Sequence, residues 1–405
     1  MSGPGRVDGG IRLHVARPAG DEGAPPAPKP PAGRRVAGIV VLVAVLSVLA
    51  GLVAGTALRT ETATRGPESA TPGGTAGARP GSTRAQAVPP GAGGVETPVP
   101  GGRTWYVSAD GATGADGSQD RPFGAIDLAV AEAKAGDTVA VGPGTYPGFT
   151  TARSGRPGAP VRIVGSAAVI RGDGDGHLVE VNHDHVTIEG FEIARADILV
   201  WVFQGTGVRI VNNVLRDAAG ECVRLKYFST GNEVAGNRIE RCGRDFDAGD
   251  HQKNGEGVYI GTSPEQTGRN PTGEPDASND NWVHDNVVTS PAECVDIKEG
   301  ASGNLVENNV CSGGRDPDGA GFSARGNGNV FRANTSTANK GAGIRLGGDG
   351  DSDGTDNVVV GNRFVDNEGY GVKIRREPQR QICGNEVAGN GERVSNTGAD
   401  PTAPC

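Results

Sequence analysis

Glu293-Cys294-Val295-Asp296-Ile297-Lys298-Glu299-Gly300 is one short alternating segment, and its pattern returns along the C-terminal half of the chain. The copies are residues 221–226, 256–261, 320–325, 342–347 and 370–375, with a more apolar version at 199–203. Apolar residues at every second position describe a strand with one buried face. A second marker keeps the same beat. Asn213, Asn237, Asn286, Asn309, Asn334 and Asn362 each stand beside apolar residues, spaced 24, 49, 23, 25 and 28 apart. The interval of 49 is a doubled one and holds the polar, proline-containing stretch 262–281. Short strands at this period, without a helical pattern, predict an all-β solenoid, because a single coil cannot bury its apolar face but a stack can. Parallel crossovers are overwhelmingly right-handed, which predicts a right-handed parallel β-helix. The asparagines are read as turn residues that tolerate the left-handed backbone and can ladder between coils.

The pleat fixes which side chains share a face. Val200, Val223, Val258, Val295, Phe322, Ile344 and Val372 form one inward column. Val202, Leu225, Ile260, Ile297, Ala324, Leu346 and Ile374 form the next. Two outward columns follow. The first reads Trp201, Arg224, Tyr259, Asp296, Ser323, Arg345, Lys373; the second reads Phe203, Lys226, Gly261, Lys298, Arg325, Gly347, Arg375. With coils ~4.8 Å apart these form a stripe of seven basic residues and one carboxylate. Basic groups at regular spacing suit a polyanion, and aromatic faces suit sugar rings. Trp201, Arg224, Lys226, Tyr259, Arg345, Lys373 and Arg375 are therefore the candidate substrate-binding residues.

The 405 residues carry a net charge of −9, so nothing global points to nucleic acid. Sixty-eight glycines and 4% aromatics suit many tight turns and small coils. Six cysteines suit disulfides in an oxidising compartment. Spacing alone does not fix their connectivity; stacking suggests Cys222–Cys242, Cys294–Cys311 and Cys383–Cys405. Residues 1–35 are Pro/Gly-rich and read as a disordered cytoplasmic tail. Residues 36–58 are 23 uncharged, almost wholly apolar residues, long enough to span a bilayer as a helix. Lys29, Arg34 and Arg35 precede them and keep the N-terminus cytoplasmic, with the rest outside the cell membrane. A cleaved signal peptide with Gly55-Thr-Ala57 as its site is the competing reading. Residues 59–102 read as a flexible tether and 103–405 as the β-helix domain, expected as a monomer. Near its start, Phe123, Ile126, Val130 and Ala133 share one helical face between Pro122 and Gly136, which predicts a helix capping the solenoid.

The run Tyr106-Val-Ser, Pro122-Phe, Gly136-Asp-Thr-Val and Gly144-Thr-Tyr146, followed by the Asn-punctuated repeat, resembles right-handed parallel β-helix proteins of the pectate-lyase-like superfamily. The resemblance spans about residues 104–390 and implies a fold; members of that superfamily include lyases, hydrolases, epimerases and non-catalytic proteins.

β-Elimination from a uronic acid needs a neutralised carboxylate, a base for the C5 proton and a proton for the leaving oxygen. Lys298 is the candidate base, with its pKa expected to be lowered by Arg224, Lys226 and Arg325. Arg325 is the candidate partner of the substrate carboxylate. Glu256, Glu293 and Asp296 are candidate Ca²⁺ ligands. A strand Glu followed by a Lys, with an Arg one coil on, resembles calcium-assisted alginate and chondroitin lyases. Asp349, Asp351 and Asp353, in a Gly-Asp-rich loop, form an alternative Ca²⁺ site. Three functions follow: a lyase acting on acidic polysaccharide, a non-catalytic protein binding glycan or cell-envelope polymer, or a glycoside hydrolase using paired carboxylates.

Overall fold

The computed structural model describes residues 101–405, except Thr113, residues 250–252 and Thr397. The expected tail, membrane span and all but the end of the tether lie outside the described residues. Among the described residues, no helix is long and apolar enough to cross a membrane.

Strands stack in parallel into a solenoid. One face is a ten-stranded sheet running from Phe149–Thr150 to Glu392–Val394. The remaining strands form two further stacks, joined as one nineteen-stranded sheet through the long strands Val161–Arg171 and Val186–Ala196. On the ten-stranded face the register is the one the alternation predicts. Val200, Val223, Val258, Val295, Phe322, Ile344 and Val372 are successive partners. All seven are fully buried. Trp201, Arg224, Tyr259, Asp296, Ser323, Arg345 and Lys373 are likewise successive partners on the outer surface.

The asparagine markers form one continuous column. The backbone N–H of Asn213 donates to Asn237 Oδ1 at 2.9 Å, and the same bond recurs from Asn237 to Asn286, Asn309, Asn334, Asn362 and Asn385. A second column, which the markers did not include, joins Asn232, Asn281, Asn304, Asn329 and Asn357. The turn reading needs correction. The left-handed backbone belongs to the preceding residue at each step (Asn212, Gly236, Asp285, Asn308, Ala333, Gly361), not to the ladder asparagine. The ladder position selects the amide, which both donates and accepts.

All three disulfides pair as stacking suggested: Cys222–Cys242, Cys294–Cys311 and Cys383–Cys405. The last brings the C-terminal tail back over the end, where Pro401 O accepts from the backbone N–H and side-chain Nδ2 of Asn385. The capping helix is shorter than expected. It spans Ile126–Glu132 and buries Ile126, Ala129 and Val130 against the first coils. Pro122-Phe123 is not its first turn, because Phe123 instead bridges in parallel to Val107.

The doubled interval is a single coil: Glu233–Ala235 pairs directly with Trp282–His284. Its surplus residues form two excursions, at about 243–255 and 262–281, on either side of the strand Val258–Ile260.

On the outer surface of the larger sheet, His284 is buried between Glu233, 3.1 Å from Nε2, and Asp285, 2.7 Å from Nδ1. Burial alone would lower its pKa, but the two carboxylates raise it above the ordinary value. A raised folded-state pKa gives stability that is complete below the unfolded value (~6.5) and lost as pH rises through the folded value. Thermal stability should therefore fall as pH rises above ~6.5, and His284→Gln should flatten part of that slope. An unchanged slope in the variant would remove His284 from the account.

Candidate functional site

The site lies on the ten-stranded face, over the strands Val258–Ile260, Val295–Ile297, Ala320–Ala324 and Ala342–Leu346. Their outward side chains make the floor of a cleft of about 330 Å³. The two excursions of the long coil supply walls: Phe246 and Lys253 from one, Ser263, Glu265 and Gln266 from the other. Lys253 is tied to Asp316 at 2.7 Å, joining its wall to the turn before the strand Ala320–Ala324.

Glu256, Glu293 and Asp296 turn into this cleft, each offering an oxygen within 4.8 Å of the others. The structure thus brings the three expected metal ligands together, although the two glutamates stand at strand starts. Burial pushes the Glu256 carboxyl up to about 8, with Glu221, Asp296 and Glu293 adding to the effect. Burial and Asp296 push Glu293 up to about 7. Asp296 moves the other way: burial opposes its charge, but Lys298 and Arg325 hold it below the usual range.

Lys298 Nζ lies 2.5 Å from Asp296 Oδ2. This corrects the expectation of a lowered pKa. Burial does act in that direction, but Asp296, Tyr259 and Glu256 outweigh it and keep the ammonium protonated above its ordinary range. The lysine with the depressed pKa is Lys226, pushed down to about 8 by burial and then by Arg224. It does not line the cleft.

Tyr259 sits between two cations, with Arg224 Cζ 4.4 Å and Lys298 Nζ 4.5 Å from its ring centroid. These come from the coil below and the coil above, so both ring faces are occupied and the hydroxyl edge is left for the cleft. Burial raises the phenol pKa, partly opposed by Lys298 and Arg224.

Trp201 is used similarly. His177 stacks on it at 4.1 Å from the coil below, and Arg224 lies 5.4 Å from its centroid on the side of the coil above. Its ring is therefore not an open platform for a sugar, contrary to the expectation for the lower end of the stripe. Arg224 is also bound by Glu221 at 3.1 Å and Gln266 at 3.0 Å, and it is buried with Lys226. Trp201, Arg224, Lys226 and Lys373 stand outside the cleft lining, while Tyr259, Lys298, Arg325, Arg345 and Arg375 line it.

Arg325 reaches Glu299 at 2.6 Å and Asp349 at 2.5 Å. The alternative cation loop therefore does not assemble. Asp349 is turned to Arg325, Asp353 accepts from the Gly350 backbone at 2.8 Å, and Asp351 points into solvent near Arg376. Arg345 is buried, and its pKa is lowered by burial and by Arg325 and Arg375. Three buried polar atoms in this region have no protein partner: Asp296 Oδ1, which belongs to the cleft lining, and Ser323 Oγ and Glu299 Oε2, which lie beside it. Buried polar groups are rarely left unpaired, so Asp296 Oδ1 marks a place for a polar ligand in the cleft. Glu299 and Ser323 were not among the candidates. Ser323 stood in the outward column, which was signal enough.

Fold and cleft together define a parallel β-helix protein with a walled cleft on one face. The family described as periplasmic copper-binding protein (NosD) matches residues 250–402. An alginate lyase from Paenibacillus sp. str. FPU-7 is similar in structure, with a TM-score of 0.58 and 20% identity, covering 73% of this chain and 99% of that one. Pectate lyase Pel9A is similar at a TM-score of 0.49 and 16% identity, covering 74% of this chain and 78% of that one. No curated protein matches the sequence.

Proposed function

We propose that this chain is a membrane-tethered, extracytoplasmic β-helix enzyme that cleaves an acidic polysaccharide by β-elimination, anchored through residues 36–58. The observation that carries the reading is the convergence of Glu293, Tyr259 and Arg325 in one walled cleft, with the unpaired Asp296 Oδ1 on its floor. A cleft with converging carboxylates supports an enzyme over a protein that only binds glycan, which needs no walls.

The roles follow from the charges. Arg325 and Arg345 face the uronate carboxylate. Glu293, with its pKa near neutrality, removes the C5 proton. The C–H electron pair forms the C4=C5 double bond and the C4–O bond breaks. Tyr259, protonated because burial raises its pKa, gives its proton to the leaving oxygen. Lys298 is a positioning residue that holds Tyr259 and balances Asp296. Inverting hydrolysis fits less well. Retaining glycosidases hold their carboxyls ~5–5.5 Å apart and inverting ones ~6.5–9.5 Å. Here the oxygens lie within 4.8 Å of one another, which leaves no gap for the water of an inverting enzyme.

The same three carboxylates fit a hard divalent cation, and the unpaired Asp296 Oδ1 favours that second reading. Bound Ca²⁺ would neutralise the substrate carboxylate. Copper fits this cleft poorly, because its converging donors are three carboxylates and no His, Cys or Met is among the described lining residues.

Incubation with pectate, alginate and glycosaminoglycans should yield ultraviolet-absorbing unsaturated uronate ends from one of them. No such product from any of these polymers would sink the reading. The rate should rise with pH through about 7 as Glu293 loses its proton, and fall only in the alkaline range of Tyr259. Activity that survives chelation leaves the carboxylates as proton-transfer groups. Activity lost to chelator and restored by Ca²⁺ makes them ligands.

A further inference from the structure

The cleft differs at its two ends. On the N-terminal side the excursion 262–281 folds back over the coil below. Asp276 is fully buried and fixes it there, accepting from the backbone N–H groups of Tyr227 at 2.7 Å and Phe228 at 2.8 Å and from Thr262 and Ser278. Tyr227 Oη and Thr272 Oγ1 add a bond at 3.0 Å, and Gln266 takes Arg224. The outward cations of that coil are covered, and the expected stripe is cut there. On the C-terminal side the turn before the strand Ala320–Ala324 reaches two coils on to Lys373, and Arg376 holds the carbonyls of Asp349 and Gly350, but Arg345 and Arg375 still line the cleft. Arg345 is buried yet has only the Gly347 carbonyl at 3.2 Å and the distant edge of Asp349 at 4.0 Å. Arg375, one coil on, is exposed. Lys373 beside it donates to the Asp318 carbonyl at 3.0 Å. Positive charge is thus left over at the open end only.

We infer that the cleft takes the end of an acidic polysaccharide chain, with the 262–281 excursion as its stop and the rest of the polymer leaving over Arg345 and Arg375. The enzyme is then end-acting, releasing short products without cutting the interior of the chain. The inference rests on the acidic-polysaccharide reading above and adds direction to it. Coils rise by ~4.8 Å, about the length of a sugar residue, so anions on consecutive sugars meet cations on consecutive coils.

The test uses the full-length protein and short oligouronates prepared from pectate and alginate, each labelled with a fluorophore at either the reducing or the non-reducing end. A stopped cleft should bind only one of the two labelled forms, and Arg375→Gln should weaken that binding about tenfold, as for loss of a hydrogen bond to a charged group. Equal binding of both forms overturns the one-ended cleft and leaves the substrate class standing. Failure to bind any unlabelled oligouronate overturns the acidic-polysaccharide reading and this inference with it. In turnover, short products should accumulate from the first time point while viscosity falls slowly; an early collapse of viscosity overturns end action. Replacing residues 264–275 with a short Gly-Ser linker should admit both labelled forms. If that variant does not fold, the labelled-ligand comparison on the unaltered protein still decides.

Discussion

Tyr259→Phe should lower kcat by about 10²–10⁴-fold while leaving the melting temperature nearly unchanged. The substitution removes one hydroxyl and keeps the ring that Arg224 and Lys298 clasp at 4.4 and 4.5 Å. The cation–aromatic column survives, so a loss of rate reports proton transfer and not collapse of the floor. In free energy the expected loss is about 3–5 kcal/mol, beyond the ~1 kcal/mol of an ordinary hydrogen bond. Glu293→Gln should fall by a similar factor and lose the rise in rate through about pH 7, because the amide cannot take a proton. A Tyr259→Phe enzyme retaining more than a tenth of its activity would move the donor role to another protonated group of the cleft, Lys298 or the Glu256 carboxyl.

The difference between Lys298 as base and Lys298 as a held cation shows where the sequence ran out. Strand alternation made the register legible, because a one-residue slip would expose every buried valine from Val200 to Val372. The same alternation puts Asp296 and Lys298 on one side of the strand, so their ion pair was within reach of the pattern. The closed lower end was not legible. Residues 243–255 and 262–281 have no period, and nothing in their composition says that Asp276 would fold the second excursion back onto Tyr227. The turn asparagines were found by their spacing but given the wrong backbone role. The second column, from Asn232 to Asn357, keeps the same intervals and was open to the same reasoning. Aromatic side chains were placed correctly on the outer face, yet stacking between coils uses up Trp201, which a list of outward residues does not reveal.

Asn309→Leu should be the most destabilising single change on the ladder, costing about 4–6 kcal/mol. Its volume is conserved, so packing is not the cause. The amide oxygen accepts from Asn286 N at 3.1 Å and Asn286 Nδ2 at 2.9 Å. The amide nitrogen donates to Asn334 Oδ1, Val283 O and Glu307 O at 2.9–3.0 Å. Leucine strips the Asn286 backbone N–H of its acceptor in a position water does not reach, at about 1–3 kcal/mol, and removes one bond, at about 1 kcal/mol each, from the other groups, of which Asn286 Nδ2 keeps Val234 O and Asn334 Oδ1 keeps the residue 309 backbone N–H. Against a total stability of ~5–15 kcal/mol that is a large fraction. At ~2–4 °C per kcal/mol for domains of about this size, the melting temperature should drop by some 10–20 °C. Asn390→Leu supplies the contrast. It stands at the end of a shorter column, is only half-buried, and receives from Asn367 alone. In a solenoid each coil is held by its two neighbours, so a break in the middle uncouples two stacks while a break at the end frays one coil. Equal losses for Asn309→Leu and Asn390→Leu would show that the amide columns decorate the coils and that the apolar columns alone hold them in line.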